Sequence, residues 1–261
     1  MGELIKTFTY PRNAFGRSTE GSALKALEVL SRTEAKSLLR NPSDPTRYKD
    51  EPFNDMRNLH AIVAGQPADP HITNIGWKFR DLAETSPPAA WRWLLTRSLW
   101  LYHIPNGTEA HVNNVARKLE ISFNFFDMVT RLAVRLSALP APRNVLYFDE
   151  LLAVLDDDAS WLLSNEELHD RLLAKRRELA IKDEEDHAPL LGSSNLEGKY
   201  SVGRDNLNTV FSKGFLQTGL FSFAKVGASN VGLRLDASVY TDPVIGRRLR
   251  FILDHPRPFI E

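Results

Sequence analysis

The sequence contains no cysteine, no long apolar run and no net charge, and each absence excludes a class of protein. Without cysteine, neither a disulfide framework nor a thiolate zinc site can form. The 33 basic and 33 acidic side chains balance, which argues against a protein that coats nucleic acid by bulk electrostatics. No stretch approaches the roughly 18 apolar residues of a membrane helix, and the first residues lack the apolar run of a signal peptide. A soluble, cytoplasmic protein is therefore expected.

What is present describes a folded protein with an uneven charge distribution. The 261 residues are 43% hydrophobic and include five Trp and fourteen Phe, which is enough for two or three compact subdomains. Residues 151–190 hold eleven acidic and five basic side chains, whereas residues 191–261 hold six acidic and nine basic ones. A basic face can therefore exist on a chain whose total charge is zero.

The periodicity of apolar residues predicts a mainly helical chain. Helices are expected after Ser22 and over residues 54–64, 89–102, 148–155 and 165–181. The amphipathic region 111–136 should break near Ile121, with Ser122 capping its second half. Ser164 and Glu167 have the spacing of a capping box. The phrase HITNIGW, residues 71–77, alternates like a short β-strand.

The C-terminal part shows a helix followed by a β-hairpin. Residues 204–218 read as a helix ended by Gly219, and LFSFAKVGASNVGLRLDA, residues 220–237, reads as two strands around a turn. A helix followed by a two-stranded wing is typical of a winged helix. The expected fold is mainly α with small β wings (α+β), with tandem winged-helix or helix-turn-helix-like subdomains. Its parts are a helical region with an Arg-rich loop (1–70), a central helical subdomain (71–185) and a C-terminal winged helix (190–261).

Four phrases occur in an order similar to that of a known family. They are TYPRNAFGR (9–17), Ile72-Thr73-Asn74-Ile75-Gly76, RSLWLYHIP (97–105) and FLQTGLF (215–221). This order resembles the recognition regions of the type IIS restriction and nicking endonucleases of the AlwI, MlyI and PleI kind. Ala14 stands where that family has a proline after the Arg-Asn pair. The resemblance implies a DNA-recognition module used in restriction-modification and phage defence, with cleavage supplied by a nuclease domain or subunit.

Long polar side chains in three places are the predicted contacts to double-stranded DNA. Arginine pairs bidentately with guanine, asparagine pairs with adenine, and both basic residues bind phosphate. The predicted DNA-binding residues are Arg12, Asn13, Arg17, Arg204, Asn206, Asn208, Lys213, Arg247 and Arg248. Arg250 extends the last of these clusters. For each group, an ordinary solvated surface is the competing interpretation, and no cofactor is expected for recognition. A reader of this kind could also be sensitive to base modification.

Two other function classes stay open. Asp186, Glu197 and Lys199 formally satisfy the PD-(D/E)xK pattern of Mg²⁺-dependent nucleases, although GSSNLEGKYSVG lacks the apolar strand that would position them. A winged-helix adaptor that binds protein instead of DNA is the second alternative.

The aromatic and histidine residues give weaker signals. Four tryptophans could stack on a base but fit a core better: Trp77, Trp91, Trp93 and Trp100. The histidines His71, His103 and His111 are too scattered for a metal site.

Overall fold

A computed structural model describes residues 19–31, 43, 51–65, 69–104, 110–141, 143–179, 207–226 and 229–255. The described residues are mostly helical with two small antiparallel sheets, which confirms the α+β class. The chain divides into two compact units, Pro11–Leu101 and Met1–Tyr10 with Tyr102–Glu261. This division falls after Leu101, whereas the sequence suggested boundaries near residues 70 and 185.

The unit Pro11–Leu101 contains four helices and a two-stranded sheet among its described residues. The elements are α1 (Glu20–Ser31), α2 (Glu51–Asn58), β1 (Val63–Ala64), β2 (His71–Ile72), α3 (Asn74–Thr85) and α4 (Pro87–Leu101). The strand expected over 71–77 is only two residues long because Thr73 caps a helix. Its hydroxyl accepts a hydrogen bond from the Gly76 amide at 3.0 Å and donates to the Ala61 carbonyl at 2.6 Å. Two prolines then begin α4, consistent with proline at a helix start.

A buried histidine, His60, joins the residues after α2 to α4. The Nδ1 atom of His60 lies 2.8 Å from the Ser98 hydroxyl, which donates to the Leu94 carbonyl at 2.8 Å. Because that hydroxyl proton is already used, Nδ1 carries the imidazole proton. Burial, and secondarily the charge of Arg97, lower the pKa of His60 from 6.5 to about 3. His60 is therefore neutral in the folded protein at physiological pH.

The described part of the second unit contains helices around a three-stranded antiparallel sheet. Its elements are α5 (Ala110–Lys118), α6 (Phe125–Leu136), β3 (Leu146–Tyr147), α7 (Phe148–Leu155), a 3₁₀ turn (Asp158–Leu162), α8 (Asn165–Leu179), the helical segment 207–218, β4 (Phe221–Val226), β5 (Ser229–Leu235), α9 (Ser238–Thr241) and α10 (Pro243–Asp254). The strand order is β3-β5-β4. Strand β3 pairs with β5 through Leu146 with Leu233 and Tyr147 with Gly232. Because these partners lie far apart in the chain, residues 207–255 belong to the same unit as residues 143–179.

Helix ends in this unit follow the sequence signals with one correction. Ser164 and Glu167 form the predicted capping box, and Gly219 ends the segment 207–218 with a φ of 78°. Ser122 does not cap α6. Ile104 and Phe123 exchange backbone hydrogen bonds of 2.9 Å, which keeps the chain extended past Ser122, and Asn124 accepts from the Asp127 amide instead.

The core of this unit is built around seven phenylalanines. Phe211 and Phe215 of the segment 207–218 contact rings from α6, α7 and β4, with centroid distances from 4.9 to 6.2 Å. The other rings are Phe125, Phe126, Phe148, Phe221 and Phe223. Offset and edge-to-face pairs of this kind stabilise beyond their buried area. The aromatic cluster therefore fixes the segment 207–218 against the helices and the hairpin.

Candidate nucleic-acid interface

The segment 207–218 has one buried face and one polar face. Leu207, Phe211 and Phe215 are buried, and the side chains of Lys213 and Gln217 are exposed. Residues 211–215 form a π-helical turn, a feature often found at functional sites. Because the buried face is anchored by aromatic packing, Lys213 and Gln217 are presented on a rigid element one helical turn apart. Such a face can place donors against a nucleic-acid groove.

The hairpin that follows carries two further cations and is tied to the segment. Lys225 and Arg234 are exposed on β4 and β5, with Arg234 opposite Ser222 in the ladder. The Asn230 amide donates to the Asn208 side-chain oxygen at 3.0 Å, joining the first turn of the segment to the end of the hairpin. Asn208 is only half-exposed. The Asn208 side-chain oxygen therefore accepts a hydrogen bond from Asn230, and this hydrogen bond competes with the predicted contact of Asn208 to a base.

Basic side chains outnumber acidic ones in residues 207–255, and two of the acidic ones take part in local hydrogen bonds. This range holds six basic side chains and three acidic ones. Asp242 accepts from the Val244 and Ile245 amides at the start of α10. Hydrogen bonds from Ser238 lower the pKa of Asp236, and the charge of Arg234 acts in the same direction. Two of the three carboxylates are thus occupied in local capping, whereas Lys213, Lys225, Arg234, Arg247 and Arg250 are exposed. Residues 207–255 therefore carry a net positive charge on exposed side chains, and exposed Lys and Arg side chains of this kind can bind phosphate.

Helix α10 carries the remaining predicted cations. Arg247 is exposed, and Arg248 is half-buried with its Nη1 atom out of contact with solvent. The C-terminal carbonyls of α10 are held by Arg131 of α6, whose Nη2 donates to the Ile252 carbonyl at 3.1 Å. The Nε atom of Arg131 is paired with Asp127 at 3.0 Å. The end of α10 is therefore fixed to α6.

The predicted site residues fall into three groups. Asn208 and Lys213 lie on the segment 207–218, and Arg247 and Arg248 lie on α10. Eight residues lie outside the described part of the chain: Arg12, Asn13, Arg17, Asp186, Glu197, Lys199, Arg204 and Asn206. Gln217, Lys225 and Arg234 are exposed polar residues of this region that were not among the predicted site residues. The position of Gln217 one helical turn after Lys213 was a sequence signal for an exposed side chain. The exposed position of Arg234, in contrast, depends on the register of the hairpin.

The tryptophans differ in exposure. Trp91 is buried and Trp100 is half-buried, whereas Trp77 is exposed and has the Arg80 guanidinium 5.5 Å from its ring centroid. Lys78 lies 5.3 Å from the ring centroid of Trp93. Trp91 therefore has the core position expected of it, and Trp77 and Trp93 carry cation–π contacts on the surface. Within the described ranges, no group of three His, Asp or Glu side chains could hold a metal ion.

Comparisons add no relative to this description. No family model, no curated protein and no solved structure matches the chain. In the part of the chain that the structure describes, no helix has the length and apolar character needed to cross a membrane. The candidate interface therefore rests on its own geometry and charge.

Proposed function

We propose that this chain is a sequence-specific reader of double-stranded DNA that serves as the recognition module of a modular restriction endonuclease. The observation that carries the proposal is the position of the segment 207–218 directly before β4 in a sheet of order β3-β5-β4. This segment presents Lys213 and Gln217 outward while two phenylalanines hold its other face.

The order of the helices and strands in the second unit supports the proposal of a winged-helix subdomain. In winged helices a helix and a short strand come first, and the recognition helix leads into a hairpin whose second strand is central in the sheet. Here α6, β3 and α7 are followed by α8, the segment 207–218 and the hairpin β4-β5. The chain carries an additional helix between α7 and the hairpin. The segment 207–218 is then the candidate recognition helix and β4-β5 the wing.

Binding in this proposal divides between two kinds of contact. Gln217 on the recognition helix reads a base edge in the major groove, where an amide can pair bidentately with adenine. Lys213 on the helix, and Lys225 and Arg234 on the wing, contact phosphates, which fixes the register without reading sequence. Cleavage is supplied by a nuclease domain or subunit, as in the restriction endonucleases that the sequence resembles.

Selection from a randomised duplex library, followed by sequencing, tests this proposal. The protein is incubated with methylated and unmethylated pools in the presence of Mg²⁺. We expect enrichment of one short motif without strand cleavage. The Lys213→Ala variant should weaken binding to all sequences and reduce the slope of log affinity against log salt by about one. The Gln217→Ala variant should relax the preference at one base position at a cost of about 1–3 kcal/mol.

Lys25→Ala is the matched control, since Lys25 is an exposed lysine on α1 in the other unit. It changes the charge by the same amount and should leave the salt slope unaltered. If no pool shows enrichment and the residual affinity is independent of salt, the protein is not a DNA reader and the adaptor alternative applies. Cleavage that depends on Mg²⁺ and on Glu197 and Lys199 would instead establish the nuclease alternative.

A further inference from the structure

Exposed apolar side chains of the unit 102–261 are concentrated at its C-terminal helices. Among its described residues, four large hydrophobic side chains are exposed, and Tyr240, Val244 and Phe251 are three of them. Tyr240 is 68% exposed and Phe251 is 49% exposed. Exposed aromatic side chains gathered in one place indicate an interaction surface more often than single scattered ones do.

Helix α10 arranges these groups into a ridge. Val244, Arg247 and Phe251 follow one another at spacings of three and four residues, so they lie on one face of the helix. We call these three residues the α10 ridge. The opposite face, with Ile245, Leu249 and Ile252, is buried in the core. Aromatic and arginine side chains are enriched among the residues that dominate the energy of protein–protein interfaces.

A cavity of complementary character is present in the same unit. It has a volume of about 380 Å³ and is lined by Phe123, Met128 and Trp161, with Leu162 and Glu120 also among its lining residues. Leu162 is 64% exposed and Glu120 is exposed, so both stand at its mouth. The cavity therefore offers an apolar floor of Phe123, Met128 and Trp161 and one exposed carboxylate, Glu120, at its rim, and the Arg131–Asp127 ion pair in its lining is neutral as a unit.

The residue at the rim, Glu120, has an unusual backbone conformation. Glu120 follows the end of α5 with a φ of 55°, a left-handed conformation in which glycine would be more stable. A glutamate there costs stability that a glycine would not. Glu120 therefore stands at a position where the backbone conformation favours glycine, and its carboxylate is exposed at the rim of the cavity.

The ridge and the cavity are neighbours on one protomer. Arg131 lines the cavity and also donates hydrogen bonds to the Ile252 and Leu253 carbonyls at the end of α10. Two complementary surfaces that lie side by side can each engage the other surface on a second copy. Such a pair of contacts is related by a two-fold axis and closes as a dimer.

We propose that two copies of this chain associate through an isologous interface in which the α10 ridge of each occupies the cavity of the other. Phe251 and Val244 pack on the apolar floor, and Arg247 faces the partner's Glu120. A second copy fits this surface better than DNA does, although α10 carries arginines, because Val244 and Phe251 place exposed apolar side chains on both sides of Arg247 and the exposed Glu120 carboxylate repels phosphate. The proposal does not depend on DNA binding, and it reassigns Arg247 from a phosphate contact to a self-association contact.

Charge reversal at both ends of the proposed contact tests this arrangement without DNA. Sedimentation equilibrium of the full chain should show a monomer–dimer equilibrium. Glu120→Arg and Arg247→Glu each create like-charge contacts twice in a two-fold dimer and should each weaken dimerisation by at least about tenfold. A mixture of the two variants should form a heterodimer with affinity near that of the unaltered protein, because both contacts in it join opposite charges. Phe251→Ser should weaken dimerisation without changing the response to salt.

Arg177→Glu is the control, since Arg177 is exposed near the end of α8 and outside both surfaces. It should leave the dimerisation constant unchanged. A protein that remains monomeric in sedimentation equilibrium up to about 1 mM would overturn the proposal. So would two variants that weaken dimerisation separately but fail to restore it when mixed. Loss of DNA affinity in Arg247→Glu with unaltered sedimentation would return Arg247 to a phosphate contact.

Discussion

Arg176 of α8 holds the buried carboxylate of Glu150 on α7 through two hydrogen bonds of 2.8 Å. The same guanidinium donates to the carbonyls of Arg143 and Val145 at 2.7 Å, and it lies 5.6 Å from the ring centroid of Tyr147. Burial raises the pKa of Glu150, and the hydrogen bonds and charge of Arg176 oppose that rise. One arginine thus joins α8 to α7 and to the segment that forms β3.

Breaking this pair should be costly because it leaves one charge buried without its partner. We expect Arg176→Met to lower the free energy of unfolding by about 3–5 kcal/mol, measured by urea denaturation. The double variant Glu150→Leu with Arg176→Met removes both charges and should recover part of that loss. Its recovery should be incomplete because the Arg143 and Val145 carbonyls lose their donor. A double variant less stable than Arg176→Met would contradict this account.

The buried histidine predicts a pH dependence of stability. The unfolded chain takes up a proton at His60 below pH 6.5, whereas the folded protein resists protonation until about pH 3. The free energy of unfolding should therefore decrease as the pH falls from 6.5 toward 3, by about 2 kcal/mol at pH 5. The His60→Asn variant keeps a donor toward Ser98 but cannot titrate. Its stability should fall less steeply over this range, and an identical slope in both proteins would refute the assignment.

The packing of the phenylalanine cluster predicts that Phe211 is essential for the stability of the segment 207–218. Phe211→Ala removes a fully buried ring that contacts Phe125, Phe148 and Phe215. We expect a loss of about 3–5 kcal/mol in the free energy of unfolding, measured by urea denaturation. Lys213→Ala lies on the exposed face of the same segment and should stay within about 0.5 kcal/mol of the unaltered protein. Equal effects of the two changes would show that the segment does not pack as described.

Two glycines should respond in opposite directions to the same substitution. A Cβ atom at Gly232 would lie 2.6 Å from the Leu146 carbonyl oxygen and 2.7 Å from Val145 Cγ1, so β5 would have to move away from β3. We expect Gly232→Ala to destabilise the protein by about 1–3 kcal/mol and to speed amide exchange in β3.

Gly21 is the control for this substitution because it is exposed on α1, and its nearest new contact would be 3.9 Å away. Gly21→Ala should stabilise the protein by about 0.5–1 kcal/mol, since alanine loses less conformational freedom in a helix. A stabilising effect of Gly232→Ala would mean that β3 and β5 do not approach as closely as described.

The sequence by itself determined the local features of this protein. The capping box at Ser164 and Glu167, the helix end at Gly219, the helix Phe148–Leu155 and the hairpin after residue 220 were all readable. The caps and the helix depend on residues a few positions apart, and the two strands of the hairpin follow one another directly, so a pattern in the sequence is sufficient to predict each of them.

Only the tertiary structure decided which distant residues meet. The start of α6 at Phe125 depends on a backbone pairing with Ile104, and the place of β3 in the sheet depends on β5. Arg176 and Glu150 are 26 residues apart, and Arg131 reaches carbonyls 121 residues later in the chain. Such contacts arise because packing selects one arrangement among many that the local periodicities allow. The register that exposes Arg234 and the cavity that faces Glu120 belong to this second group.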